Sequence, residues 1–353
     1  MAQKTRLLLH GVTGRMGRVR HLEGAILALR HSGVELELTL AGRSQDQVSA
    51  LASKIGANST ADLGAALESR EFDLFFDASS PLVRASLIAQ SLNSGTAVYT
   101  EKPISLSIDD ARNLHELSSE KKLFTAIVQD KLFTVGFKSA RRALEENLLG
   151  EIYDIRCEFG YWVETGFEGK PINRPSWNFR KEQGGSLIPD LFSHWNYIIE
   201  LVDRIDGVSA LTKTHIINRA DERDQTFSVT IPDVAHVIFN TESGITGTIS
   251  SSWVQRPLVP FTMRVFGSKG ALNITPVQCL LESPLGQVDL VSKFGITPED
   301  EFLSQWRDVI NAVQTGKEVP FNFASALRQA EFCAAIEKSA LDKSFVSVER
   351  VKK

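Results

Sequence analysis

The segment RLLLHGVTGRMGRVRHLEGAILALRHSG, which begins at Arg6, constrains the fold more than any other part of the chain. A short apolar run enters a glycine-rich turn, and beyond the turn apolar side chains recur at helical spacing. VELELTLAGR follows as an alternating strand and QVSALASKIG as an amphipathic helix. FDLFFDASS then reads as a continuous apolar strand, VRASLIAQSLNSG as a helix and TAVYTEKP as a further strand. This alternation predicts an α/β domain built on a doubly wound parallel sheet with helices on both faces. The chain has 353 residues, more than one core usually covers, so two domains are expected. We place the first at residues 1–125 and the second at 126–353, with the C-terminal segment free to pack back on the first.

Gly11, Gly14 and Gly17 sit in the turn with the spacing GxxGxxG, one residue away from the usual GxGxxG. Residues without Cβ atoms let a backbone approach a pyrophosphate, which then rests on the N-terminus of the following helix. The turn therefore offers Gly11, Thr13, Gly14, Arg15, Met16 and Gly17 as dinucleotide contacts. An acidic residue at the end of the second strand would select NAD through the ribose 2′-hydroxyl. This chain has Ala41-Gly42-Arg43-Ser44 there. Arg43 can pair with a 2′-phosphate and Ser44 can donate to it, so NADP is the expected cofactor, with NAD as the alternative.

A second stretch, GGSLIPDLFSHW at 184–195, holds Asp190, Ser193 and His194 as the polar side chains of a mostly apolar run. In a helix, Asp190 and His194 share a face. Such a pair alone suits a satisfied core histidine beside a helix cap better than a catalytic role. Zinc catalysis needs three converging protein ligands, and no further histidine, cysteine or glutamate stands at ligand spacing, so no metal is expected. Cys157, Cys279 and Cys333 are far apart and odd in number, which argues against a disulfide framework and for a reducing cytoplasm. The net charge of −4 gives no basic footprint for nucleic acid. No run approaches the ~18 apolar residues of a membrane span, and MAQKTRLLLHGVTG is too short for the apolar segment of a secretion signal.

Beyond the first domain, EIYDIRCEFGYWVE, DVAHVIFNT, ITGTISSSWV, FTMRVFGSKGALNI and CLLES read as strands of an antiparallel sheet. Two clusters mix aromatic and polar residues. One joins Tyr161-Trp162 to Arg174, Trp177, Asn178 and Arg180, and the other is Ser252-Trp253-Val254-Gln255-Arg256. Aromatic faces pack on the C–H face of a sugar ring, while Asn, Gln and Arg bind its hydroxyls. Trp162, Trp177, Asn178, Arg180 and Trp253 are therefore candidate substrate contacts. The arginines are compatible with an anionic sugar and equally with a neutral glycoside.

Glycine turn, then EKP at 101–103 after the fifth strand, then GGSxxxDxxxH form a combination that resembles the Gfo/Idh/MocA family of oxidoreductases over nearly the full length. The resemblance implies a Rossmann domain followed by an α/β domain with a large open, mainly antiparallel sheet, through which members pair as homodimers or homotetramers. It implies that Lys102, Asp190 and His194 form the catalytic group and also contact substrate. SSP at 79–81 matches a loop touching the cofactor ribose, so Ser79, Ser80 and Pro81 join the cofactor contacts, as do Glu101, Lys102 and Gln129, the last from QDKLF at 129–133. Three departures stand out: the extra residue in the turn, Ser186 in place of a third glycine, and Phe192 in place of a glycine, which would narrow a substrate pocket. GVTGRMG also looks like dihydrodipicolinate reductase, whose other segments are absent.

On this reading His194 is the general acid/base, Lys102 stabilises charge on the reacting oxygen, and Asp190 orients the histidine or substrate and balances the lysine. The expected activity is hydride transfer between a nicotinamide cofactor and a secondary alcohol or ketone of a sugar, glycoside or cyclitol. An NAD-dependent inositol-type dehydrogenase and a non-catalytic nucleotide-binding regulator of the same fold are the alternatives.

Overall fold

A computed structural model describes residues 4–165 and 173–348. They form two compact units, one of residues 4–133 and 299–330, the other of 134–165, 173–298 and 331–348.

In the first unit, β1 (Thr5–His10) runs through the glycine turn into α1. That helix opens with π-helical turns over Met16–Ile26 and tightens to α-helix over Leu27–His31. Then come β2 (Leu36–Ala41), α2 (Gln45–Ile55), β3 (Asn58–Thr60), α3 (Leu63–Glu68), β4 (Leu74–Asp77), α4 (Pro81–Ser94), β5 (Ala97–Thr100), α5 (Ile108–Glu120) and β6 (Thr125–Ile127). The strands pair in the order β3-β2-β1-β4-β5-β6, and every pairing is parallel. All four residues of β4 are buried, as helices on both faces require. Strand order reverses between β1 and β4, so their carboxyl ends flank the crevice where ligands bind in open α/β sheets.

The second unit begins with α6 (Val135–Glu145) and β7 (Ile152–Trp162), then the short pair β8 (Glu164–Thr165) and β9 (Asn173–Arg174). The GGSLIPDLFSHW stretch forms α7, with π-helical turns over Ile188–Phe192 and α-helix over Ser193–Ile199. After it come β10 (Ile205–Lys213), β11 (Asn218–Ala220), β12 (Thr226–Ser228), β13 (Val234–Thr241), β14 (Thr246–Ser252), β15 (Val254–Gly267), β16 (Gly270–Thr275), β17 (Gln278–Ser283), β18 (Gly286–Asp289) and α8 (Leu290–Phe294). The chain then returns to the first unit with α9 (Glu301–Thr315), whose N-terminus Asp300 caps by accepting from the Phe302 and Leu303 amides at 2.9 and 3.0 Å. It crosses again within α10 (Phe323–Asp342) and ends its described part with β19 (Val346–Ser347).

Nine strands form the large sheet, in the order β18-β17-β16-β15-β7-β14-β13-β10-β19. Only β7 and β14 pair in parallel; the rest are antiparallel. Helix α7 is fixed to this sheet by Trp195. Its ring stacks on Phe261 of β15 at 3.8 Å and its indole N–H donates to Ser251 of β14 at 2.9 Å. Both rings are buried, so the residue before Trp195, His194, inherits a rigid backbone. No described helix is long and apolar enough to cross a membrane.

Truncating the stacked ring should test this anchor. Phe261→Ala is expected to cost about 3 kcal/mol or more, seen as a lower urea midpoint for the transition of this unit.

Candidate active site

The glycine turn lies at the carboxyl end of β1. Gly11 has φ +76°, and a Cβ there would stand 2.5 Å from the Ala78 carbonyl carbon and 2.7 Å from the Ser79 nitrogen. A Cβ on Gly17 would collide with the Gly11 carbonyl oxygen, whereas one on Gly14 would meet only that oxygen, at 3.4 Å. The three glycines therefore do different work. Gly11 and Gly17 let the turn close on itself and on the loop after β4, and Gly14 leaves its outer side open. Thr13, Gly14, Arg15 and Met16 are exposed around it, at the start of α1. That is the shape a pyrophosphate needs, so the residues fit a dinucleotide. Arg43 and Ser44 are also exposed, directly after β2, and neither side chain makes a hydrogen bond or ion pair among the described residues.

Beneath the turn the ends of β4 and β5 carry two buried carboxylates. Asp77 binds His10 Nδ1 at 2.8 Å, Ser79 Oγ at 2.9 Å and Arg84 Nε at 3.2 Å. Arg84 is 3% exposed; it also donates to the carbonyls of Pro103, at 2.6 Å, and Ser79. Burial pushes the Asp77 carboxyl up, but His10, Arg84 and Ser79 together hold it below the usual carboxylate range. Glu101 accepts from His21 Nε2 at 2.8 Å with one oxygen and from the Lys102 amide at 3.1 Å with the other. Here too burial acts upward, and His21, Lys102 and Arg84 outweigh it. The Lys102 loop is thus held from both sides, through its amide by Glu101 and through the Pro103 carbonyl by Arg84.

Several expected cofactor contacts are already engaged inside this unit. Glu101 is buried and bonded as described, so it supports the loop rather than facing solvent. Gln129 is 2% exposed; its side chain donates to Ser325 at 2.9 Å, which ties the end of β6 to α10. Ser79 Oγ serves Asp77, Ser80 caps α4 by accepting from the Leu82 amide at 3.4 Å, and Pro81 is the first residue of that helix.

In the second unit, a Cβ on Gly185 would collide with the Trp177 carbonyl and the Asn178 backbone. The glycine therefore brings the RPSWNFR loop against the start of α7. Asp190 lies in the π-helical turn and His194 in the first α-helical turn, which corrects the regular helix expected for the pair. Their partners differ as well. Asp190 pairs with Arg174 at 2.7 Å, and His194 Nδ1 meets the Tyr197 hydroxyl at 2.5 Å. Arg174 also donates to the Tyr161 hydroxyl at 2.8 Å and to Asn178 Oδ1 at 3.2 Å, with its guanidinium 4.7 Å over Trp253.

The other candidates sort by exposure. Trp253 is fully buried and backs Arg174 rather than lining a surface, whereas Trp177 is 39% exposed. Trp162 is half-buried under the Arg256 guanidinium at 4.2 Å, and Arg180 stacks on Phe227 at 4.1 Å near Asp221. Phe192 is fully buried. Sequence reasoning missed Arg84, His21, Trp306 and Tyr197. Their signals, an arginine inside an apolar helix and a histidine and tryptophan in separate helices, gain meaning only through pairing.

Comparison with known proteins gives this arrangement its context. Residues 6–128 match the oxidoreductase family with an NAD-binding Rossmann fold, and residues 137–273 match the GFO/IDH/MocA C-terminal domain. A D-xylose dehydrogenase of Paenarthrobacter nicotinovorans is 32% identical, with 92% of each chain covered. The chain belongs to the Gfo/Idh/MocA family of oxidoreductases. An inositol 2-dehydrogenase of Rhizobium meliloti is 23% identical over 75% of this chain and 77% of its own. In fold the chain is similar to levoglucosan dehydrogenase in complex with NADH and levoglucosan, with a TM-score of 0.86, 18% identity, and 99% and 100% of the chains covered. The family carries a dinucleotide-binding Rossmann domain, in keeping with the fit of the glycine turn.

The buried carboxylates give a pH prediction. Both sit below their unfolded values of about 3.9 and 4.3. Their stabilisation is therefore complete above that range and is lost as the pH falls through the folded-state values. Asp77→Asn should lower stability at neutral pH and flatten the acid decline below about pH 4, measured as urea midpoints at each pH. A decline as steep as in the wild type would assign the acid sensitivity elsewhere.

Proposed function

We propose that this protein transfers a hydride between NADP(H) and a secondary alcohol or ketone of an uncharged sugar, glycoside or cyclitol. The nicotinamide ring would accept or supply the hydride; the chain's own residues bind, orient and move the proton. The observation that carries the substrate class is the Arg174–Asp190 pair at 2.7 Å. The half-buried guanidinium in this site is already balanced by a carboxylate and is satisfied by Tyr161 and Asn178. A substrate phosphate or carboxylate would have to displace Asp190 to use it, at a high desolvation cost. Hydroxyl groups need no such exchange, and the Asp190 carboxylate paired with Arg174 is an acceptor for them. D-xylose and levoglucosan, named for two of the similar proteins, are uncharged carbohydrates.

His194 is the proton carrier in this reading. With Nδ1–H donating to the Tyr197 oxygen, Nε2 presents a lone pair that takes the substrate hydroxyl proton; the resulting imidazolium keeps its Nδ1–H bond to Tyr197 and returns the Nε2 proton in the reverse direction. Lys102 donates to the oxygen on which charge develops. Arg43 and Ser44 support NADP, because no acidic residue stands at the end of β2 to bind a free 2′-hydroxyl. The levoglucosan dehydrogenase is described with NADH, so the cofactor preference proposed here rests on this chain's own residues.

The exposed Leu211 and Ile238 on the outward face of the nine-stranded sheet support self-association as a homodimer or homotetramer. Cys157, Cys279 and Cys333, buried and outside any disulfide, suit the cytoplasm.

Calorimetric titration with NADPH and NADH tests the cofactor. Tighter NADPH binding, reduced about tenfold or more by Arg43→Ala, is expected; NADH binding as tight or tighter would favour the NAD-dependent polyol dehydrogenase. Lys102→Met and His194→Ala should each lower turnover on neutral sugars by roughly a hundredfold, and near-normal turnover in both would remove them from the chemistry.

A further inference from the structure

Behind Glu101 lies a chain of groups that hydride transfer does not use. The Trp306 indole N–H, on α9, donates to His21 Nδ1 at 3.0 Å, and His21 Nε2 stands 2.8 Å from Glu101 Oε1. Trp306 and His21 are both fully buried. The imidazole is boxed by Phe76 at 4.5 Å, Phe302 at 4.9 Å and the edge of Tyr99 at 6.3 Å between centroids. An indole nitrogen can only donate. His21 Nδ1 must therefore accept, which leaves the ring proton on Nε2, directed at Glu101. Most histidine tautomers are open to interpretation; here the donor-only partner decides it.

The geometry points to Trp306 and His21 as positioning residues that hold the imidazole neutral, so that Glu101 keeps its negative charge for the Lys102 segment. A second proton on His21 would have to sit at Nδ1, against the indole N–H. Were it accommodated, the resulting imidazolium would draw the Glu101 charge toward itself and away from Lys102. This inference rests on the reading of Lys102 as a catalytic group. The charged groups around the ring are Glu101, then Lys102 and Arg84 acting on it. On the α9 side Arg20 engages Glu301 at 2.7 Å and Asp300 at 3.8 Å. Tyr99 is the titratable group facing the ring from β5, with Asp130 acting on it in turn.

The test uses the full chain with 15N-labelled histidine. Long-range 1H–15N spectra, assigned with His21→Gln, are expected to show His21 as one neutral Nε2–H ring between about pH 5 and 8. In Trp306→Phe the same ring should take up a second proton at the acid end of that range, and kcat/KM should gain an acid limb that the wild type lacks. A wild-type His21 protonated on Nδ1 would overturn the inference, as would a Trp306→Phe variant whose His21 signals and pH profile match the wild type. If Trp306→Phe does not fold, the comparison passes to His21→Gln, which retains a donor to Glu101, against His21→Phe, which does not. The first should keep most of the turnover and the second lose between about tenfold and a hundredfold; equal losses would reduce His21 to packing. The spectra are independent of turnover, so a failure of the Lys102 reading, seen in Lys102→Met, is distinguishable from a failure of this one.

Discussion

Charge buried at the carboxyl ends of β4 and β5 is the constraint on which the first unit depends. Asp77 and Glu101 are placed where water cannot solvate them, and an isolated carboxylate there would take up a proton or unfold its surroundings. Arg84 resolves this for Asp77 and contributes to Glu101. Because a guanidinium has five donors in a fixed fork, the same side chain also reaches the carbonyls of Ser79 and Pro103. One arginine thereby couples the loop after β4 to the segment bearing Lys102. The position of that lysine's backbone follows from electrostatic bookkeeping several residues away.

The second unit solves a similar problem with the signs exchanged. There the central charge is a half-buried guanidinium, Arg174, and Asp190 is its carboxylate. Aromatic groups complete both solutions: Trp253 lies under Arg174, and Phe76, Tyr99 and Phe302 surround His21. Apolar walls raise the strength of each polar contact and equally raise the penalty for losing one. A site of this kind is stiff, because no member can move without exposing another to an unsatisfied state.

Much of this was legible in the sequence, for reasons that separate local from distant effects. The parallel sheet followed from strands apolar on both faces, and the dinucleotide turn from three glycines between a strand and a helix. The structure refines the second, since Gly11 and Gly17 serve internal packing and Gly14 faces outward. Asp190 and His194 stood out as polar residues in an apolar run. Their partners did not, because Arg174 joins Asp190 from a separate loop and Tyr197 looks in sequence like one more apolar residue of α7. The π-helical turns in α1 and α7 were also invisible, since apolar spacing at this length does not separate 3.6 from wider turns. The return of 299–330 to the first unit was anticipated only in outline. The pairing of Trp306 with His21, 285 positions apart, has no local signature at all.

Two of the histidines in these sites, His21 and His194, show how a neighbour decides what an imidazole can do. His21 faces an indole on one nitrogen and a carboxylate on the other. The first can only donate and the second, ionised, can only accept, so a single arrangement of the proton satisfies both. His194 faces a phenol, which donates or accepts with equal facility. Its proton can therefore reside on either nitrogen while the hydrogen bond to Tyr197 persists, and Nε2 can alternate between acceptor and donor without leaving a buried group unpaired. Fixed partners make a histidine part of the framework; an amphoteric partner lets it cycle. By that criterion the donor and acceptor inventory around each ring, more than its burial or its sequence context, separates the fixed imidazole of His21 from the adaptable one of His194.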